Sequence, residues 1–159
     1  RVQDKVSASL KELQARLQPG APVIIAAHSL GAMVISDYIY DLQQNMAAAK
    51  DFERFSNLKG LVTFGCNIPL FEMGHLKTKP FKPPTPGFSW DNFYSPFDVL
   101  GYRLESYYDE TPAFPLIDIK IYPGCLLFWT WLSHNGYWTS VKMQKHIVER
   151  VVAVANPSP

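Results

Sequence analysis

The chain of 159 residues is 47% hydrophobic and 18% charged, the balance of one globular domain around a single core, which excludes a disordered or fibrous segment. Fifteen basic against fourteen acidic side chains leave a formal charge of +1, too little to gather nucleic acid or an anionic membrane by long-range attraction, so a neutral or small substrate is expected and no nucleic-acid partner. Cys66 and Cys125 are the only cysteines and no His or Cys pair stands at ligand spacing, so neither a disulfide framework nor a zinc site is indicated, and no metal or cofactor is expected.

Val2, Val6, Leu10, Leu13 and Leu17 recur every three or four residues, the stripe of an amphipathic helix that ends at Pro19-Gly20. Residues 22–27 form a short, continuously apolar, partly β-branched run, which predicts a strand buried on both faces of a parallel sheet. After Ser29 a second helical stripe runs through Ala32, Ile35, Ile39, Leu42 and Met46. Residues 58–64 read as the next buried strand, closed by Gly65.

Residues 71–88 hold Gly74, Pro80, Pro83, Pro84, Pro86 and Gly87, which predicts an irregular excursion. Because it leaves the sheet beside the 22–27 strand, it is expected to lie as a lid over Ser29, its aromatics lining an apolar pocket. Residues 90–94 and 117–122 are the next strand candidates, the second ended by Pro123-Gly124, and residues 141–155 close the chain as a helix presenting Val141, Val148, Val152 and Ala155. Strands alternating with helices imply an α/β fold, a mostly parallel sheet with helices on both faces, spanning residues 1–159 as one domain. The longest apolar run, around 125–132, falls short of the ~20 residues that cross a bilayer, so no transmembrane segment is expected.

Ala27-His28-Ser29-Leu30-Gly31 stands where the first strand ends and the second helix begins. A serine at the tip of so sharp a turn adopts a strained backbone, and small residues two places before and after it let strand and helix approach. The pentapeptide resembles the Gly-x-Ser-x-Gly elbow of α/β-hydrolase lipases and esterases, with Ala27 in place of the first Gly. That resemblance implies Ser29 as nucleophile and the backbone N–H of Leu30 as one oxyanion donor. His28, adjacent on a tight turn, points away from Ser29 and is expected to pack or hydrogen-bond behind the elbow.

A serine hydroxyl needs an imidazole to take its proton, and the imidazole needs a carboxylate to orient it. The family order of Ser, acid, His makes Asp98, just beyond the 90–94 strand, the acid, because Asp91 begins that strand and Asp118 lies at the following one. His134, after the last strand and before the final helix, is the base. His146 falls inside that helix as an expected surface residue, and His75 precedes the acid and breaks the order. Residues 95–104 with Asp98, followed by His134 and Tyr137-Trp138, also resemble a group of bacterial α/β-hydrolases related in outline to lipases. Val62-Thr63-Phe64-Gly65 is similar to the strand after the elbow in lipases, where Ser-Pro often follows and this chain has Cys66-Asn67, a departure that bears on substrate preference.

The resemblance covers nearly the whole chain but only the C-terminal part of the fold, and it leaves the second oxyanion donor unassigned. Residues 22–27 would form an exposed hydrophobic edge unless a missing N-terminal segment or a partner chain covers it. The chain begins at Arg1 without Met, so an upstream region or targeting signal, and with it the compartment, stays open. The expected function is therefore a serine hydrolase cleaving small-molecule or lipid carboxylic esters. The alternative is a non-catalytic or truncated descendant that uses the scaffold for binding. A third reading makes residues 76–88 a lipid-surface element through Lys77, Lys79, Lys82, Phe81 and Phe88, against a solvated Pro-rich loop.

Overall fold

The computed structural model describes residues 2–44, 55–73, 81–108, 114–123 and 132–156. Their elements follow the chain as α1 (Val2–Arg16), β1 (Val23–His28), α2 (Leu30–Gln44), β2 (Leu58–Phe64), α3 (Ile68–Glu72), β3 (Ser89–Tyr94), β4 (Leu116–Lys120), α4 (Leu132–Asn135), a 3-10 turn (Gly136–Thr139) and α5 (Val141–Ala155). The four strands pair in chain order β1-β2-β3-β4, all parallel, so the expected α/β architecture is what the chain adopts.

Alternation along each strand divides the core between two faces. Ile25 and Ala27 of β1, Leu61 of β2 and Trp90 of β3 meet Ala32, Ile35 and Ile39 of α2, with Val6 and Leu10 of α1 packed on top. Val62 and Phe64 of β2 and Phe93 of β3 face the other way, onto Tyr137 and the α5 residues Met143 and Ile147. A register shift between Val23 and Ile24 lets both Leu58 and Leu61 reach the α2 face. A buried polar chain runs across the strands on that face. The Trp90 indole donates to Thr63 Oγ1 (2.9 Å), Thr63 to Asn92 Oδ1 (2.8 Å), and Asn92 Nδ2 to Asp118 Oδ1 (2.7 Å). Asp118 then accepts the backbone N–H groups of Leu104 and Glu105, tying residues 102–105 to the sheet beside the Asp98 turn.

Four expectations change. β1 is not buried on both faces: among the described residues it pairs only with β2, as an edge strand, and Ile24 and Ile25 are half-buried and Ala26 exposed. On α5 the valines do not face the core. Val141, Val148 and Val152 are exposed, while Met143, His146, Ile147 and Arg150 turn toward the sheet. The helix docks by ion pairing as well as apolar burial, which hydrophobic periodicity alone does not register. The described half of the 71–88 excursion runs away from Ser29. Lys82 O accepts from Gln43 at the far end of α2, and Thr85 donates to Leu58 O at the start of β2, so residues 81–88 sit at the opposite rim. Phe88 is buried and Phe81 packs on Phe88, Trp90 and Phe114, which removes both aromatics from any lipid-facing surface. Lys77, Lys79 and His75 lie outside the described residues, as do Met46 and Cys125.

Candidate functional site

The first strand ends in a backbone that only one non-glycine residue adopts among the described residues: Ser29 has φ 53°. The turn is held on both sides, since the Ser29 N–H still donates to Phe64 O of β2 (3.0 Å) and its carbonyl accepts from Ala32 N–H in the first turn of α2 (2.9 Å). Leu30 opens α2, so its N–H has no carbonyl partner within the helix. At Gly31 an added Cβ would sit 4.0 Å from Ala27 Cβ, ordinary contact, so the joint is close without being closed to one more methyl.

Asp98 follows β3 in a turn closed by its own side chain, which accepts Leu100 N–H at Oδ1 (3.0 Å). His134 stands in α4, beyond β4. Both therefore share with Ser29 the rim formed by the carboxyl ends of the parallel strands. The three side chains meet there. His134 Nε2 is 2.6 Å from Ser29 Oγ, and His134 Nδ1 is 2.9 Å from Asp98 Oδ2. A carboxylate can only accept, so Nδ1 carries the ring proton and Nε2 is left as an acceptor for the serine hydroxyl.

Neighbours hold this arrangement. Asp98 Oδ2 also accepts the Tyr137 hydroxyl (2.9 Å), whose oxygen in turn accepts Ser95 N–H (2.9 Å). Burial first, and then the adjacent Asp98 charge, push the Tyr137 phenol well above its ordinary range, so it stays a donor. Ser133 Oγ donates to Phe97 O (3.1 Å), joining the segment before His134 to the one before Asp98. His28 turns behind the elbow as expected: its Nε2 donates to the carbonyl oxygen of His134 (2.8 Å), and its ring stacks on Phe64 with centroids 5.2 Å apart. Loss of hydration lowers the His28 pKa, partly opposed by that hydrogen bond, which keeps it the neutral donor the contact needs.

Two glycines are required by contact. A Cβ on Gly65, which has φ +57°, would lie 3.0 Å from His134 Cε1, and one on Gly101 would lie 2.4 Å from Asp98 Oδ2. Asn67 Nδ2, in the segment between β2 and α3, approaches Ser29 Oγ at 3.5 Å. Cys66 is buried and its thiol is pushed up to about 12, mainly by desolvation, which leaves it inert as a nucleophile.

His146 is not a surface residue. Its Nε2 is 2.9 Å from Asp91 Oδ2, and Arg150 Nε is 3.0 Å from the same oxygen, away from Ser29. A groove of about 360 Å3, bordered by Leu10, Leu13, Leu17, Val23 and Phe55, opens at the beginnings of the strands and is not continuous with Ser29. Among the described residues no group of three or more His, Cys, Asp or Glu is disposed to hold a metal ion, and no helix is long and apolar enough to cross a membrane.

No family model, curated protein or solved structure matches this chain. The geometry of the rim thus stands as its own argument. A strained serine, an imidazole with one nitrogen on the serine and the other on a carboxylate, and a helix-start N–H without a carbonyl partner in its own helix can together perform proton-coupled nucleophilic attack. Sequence order suggested Ser29, Asp98, His134 and Leu30. It did not suggest that Tyr137 would hold Asp98 or that His28 would hold the His134 carbonyl, because both contacts join segments distant in the chain.

Proposed function

We propose that this chain is the nucleophile-bearing part of an α/β-hydrolase and cleaves carboxylic esters of small molecules or lipids through an acyl-enzyme on Ser29. The observation that carries this reading is the continuous Ser29–His134–Asp98 relay, with contacts of 2.6 and 2.9 Å, at a serine of φ 53°. In the proposed reaction Ser29 Oγ attacks the ester carbonyl while its proton passes to His134 Nε2. Asp98 fixes the ring and balances the imidazolium charge. His134 then returns the proton to the departing alcohol, and a water repeats the sequence to release the acid. The Leu30 N–H donates to the tetrahedral oxyanion, a contribution of about 3–4 kcal/mol per donor in a measured hydrolase.

Incubation with a fluorophosphonate probe followed by peptide mass spectrometry tests this. The expected result is one adduct on the peptide containing Ser29, absent in Ser29→Ala and strongly reduced in His134→Ala. A second reading, a binding protein on a hydrolase scaffold, draws support from the outer edge of β1, unpaired among the described residues, and the exposed valines of α5, surfaces suited to another polypeptide. The same surfaces support a hydrolase whose sheet is completed by a further segment or a partner chain. An unlabelled Ser29 in folded protein would favour the binding reading.

A further inference from the structure

An asparagine before a short helix ordinarily caps it, and Asn67 occupies that position before α3 without a side-chain cap. The local sequence explains why. A capping side chain accepts the N–H of the second or third helical residue; here the second is Pro69, which has no N–H, and the third, Leu70, already donates to the Asn67 carbonyl at 3.0 Å. The carboxamide is thereby left free of its usual duty while its backbone stays fixed, with Cys66 O accepting Tyr102 N–H (2.8 Å) and Asn67 O also accepting Phe71 N–H (3.3 Å).

Asn67 is nonetheless buried, with 6% of the residue exposed, and its buried Oδ1 has no hydrogen-bond partner among the described residues. A buried amide with an unengaged end costs about 1–3 kcal/mol, so its presence calls for an explanation, and a role in chemistry is one such explanation. Its other end faces Ser29 Oγ at 3.5 Å, too long to be a strong bond in the resting site. The direction of that contact follows from the relay. Ser29 gives its proton to His134 Nε2, so the group facing Oγ from Asn67 must be a donor, which identifies it as Nδ2–H.

We infer that Asn67 is a catalytic residue of the same site, donating its Nδ2–H to the oxyanion that forms on attack by Ser29 and so supplying the second donor beside the Leu30 N–H. The inference rests on the hydrolase reading. In the step it serves, the bond from Oγ to the carbonyl carbon forms as the carbonyl π pair moves onto oxygen, and the serine proton moves to His134. The new oxyanion is bonded to the carbon that Oγ has joined, so a donor resting 3.5 Å from Oγ is near enough to reach it while gaining a better bond than it had before attack. When the tetrahedral centre collapses, the pair returns to the carbonyl, the alkoxide leaves with the proton from His134, and Asn67 is released to its resting contact. A donor engaged more strongly in the transition state than in the ground state lowers the barrier without tightening substrate binding.

The test compares Asn67→Ala and the isosteric Asn67→Asp with the unaltered protein in ester hydrolysis and in binding of an alkyl boronic acid, which forms a tetrahedral adduct on serine. Asn67→Ala is expected to lower kcat on the order of a hundred- to a thousand-fold with little change in KM, and to weaken boronate binding strongly. Asn67→Asp, which keeps the volume and replaces the donor by an acceptor, is expected to lose at least as much, and it provides the reading if the alanine variant fails to fold. Fluorophosphonate labelling of Ser29 with kcat and boronate affinity retained within about threefold would overturn the assignment of Asn67 alone. Absence of labelling in the unaltered protein would overturn the hydrolase reading and this inference with it.

Discussion

Two histidine–aspartate pairs in this molecule have the same contact distance and opposite surroundings. His134 meets Asp98 at 2.9 Å and His146 meets Asp91 at 2.9 Å. At Asp91 the carboxylate is shared with the permanently charged Arg150, and the histidine lies on α5, edge-on to Phe93. That pair is complete as a clasp between helix and sheet. Asp98 has no Lys or Arg ion-pair partner among the described residues; its companions are the Tyr137 hydroxyl, the Leu100 N–H and His134, whose second nitrogen is turned onto Ser29. A His–Asp contact is therefore common structural material. Under the proposed function, what sets the His134 pair apart is a carboxylate without a cationic partner among the described residues on one side and a serine hydroxyl on the other.

The sharpest way to break the comparison is to remove each histidine. His134→Ala is expected to abolish ester turnover, on the order of a million-fold by analogy with measured triads, whereas His146→Ala should leave kcat within a few-fold and show its effect as a lowered Tm. Equal losses in folded protein would mean that the two pairs do not differ in role.

A second contrast uses the glycines beside each pair. A Cβ on Gly65 would press on His134 at 3.0 Å from a left-handed φ, while one on Gly60 would meet Arg150 Nη2 at 3.5 Å, ordinary contact. Gly65→Ala should cost roughly 1–2 kcal/mol from its backbone conformation alone and, by displacing the imidazole, on the order of ten- to a hundred-fold in kcat. Gly60→Ala should change stability by about 1 kcal/mol or less and leave turnover intact, as denaturant titration and initial rates would show.

The smallest effect concerns what stands behind His134. Burial lowers the His28 pKa from its ordinary value of 6.5, so the folded state resists its protonation. The unfolded chain then binds more protons around and below that value, so this contribution to stability is present above it and is lost as pH falls through and below it. His28→Gln keeps a donor and removes the titration, so its Tm should vary less across that range. An unchanged pH slope would show that the titration of His28 contributes nothing measurable.

The parallel sheet was legible because residues 23–28 and 58–64 carry short β-branched runs ended by Ser29 and Gly65, and Ser29 was legible because its turn demands small neighbours. Asp98 and His134 could be chosen by order along the chain, since each follows a strand and strands of a parallel sheet end at one rim. The faces of α5 could not be read so directly. Val141, Val148, Val152 and Ala155 suggested one stripe, yet the helix is held by Asp91, a partner on another element that no local pattern reveals. The excursion failed for a related reason: its prolines announced irregularity, whereas its direction depends on where Phe81 and Phe88 find Trp90 and Phe114. Asn67 did carry a local signal, a capping residue two places before a proline, legible only when a side chain is asked what it is prevented from doing.

The backbone of Ser29 places folding and the proposed chemistry in competition at one position. A left-handed conformation costs an ordinary L-residue roughly 1–2 kcal/mol and costs glycine almost nothing, so the residue best suited to φ 53° is not the one present. A library of this protein selected for expression or thermal tolerance alone should therefore drift toward glycine at position 29. Retention of serine under such a regime would need a second selective demand, and the frequency of serine at that site would measure how strongly it is felt.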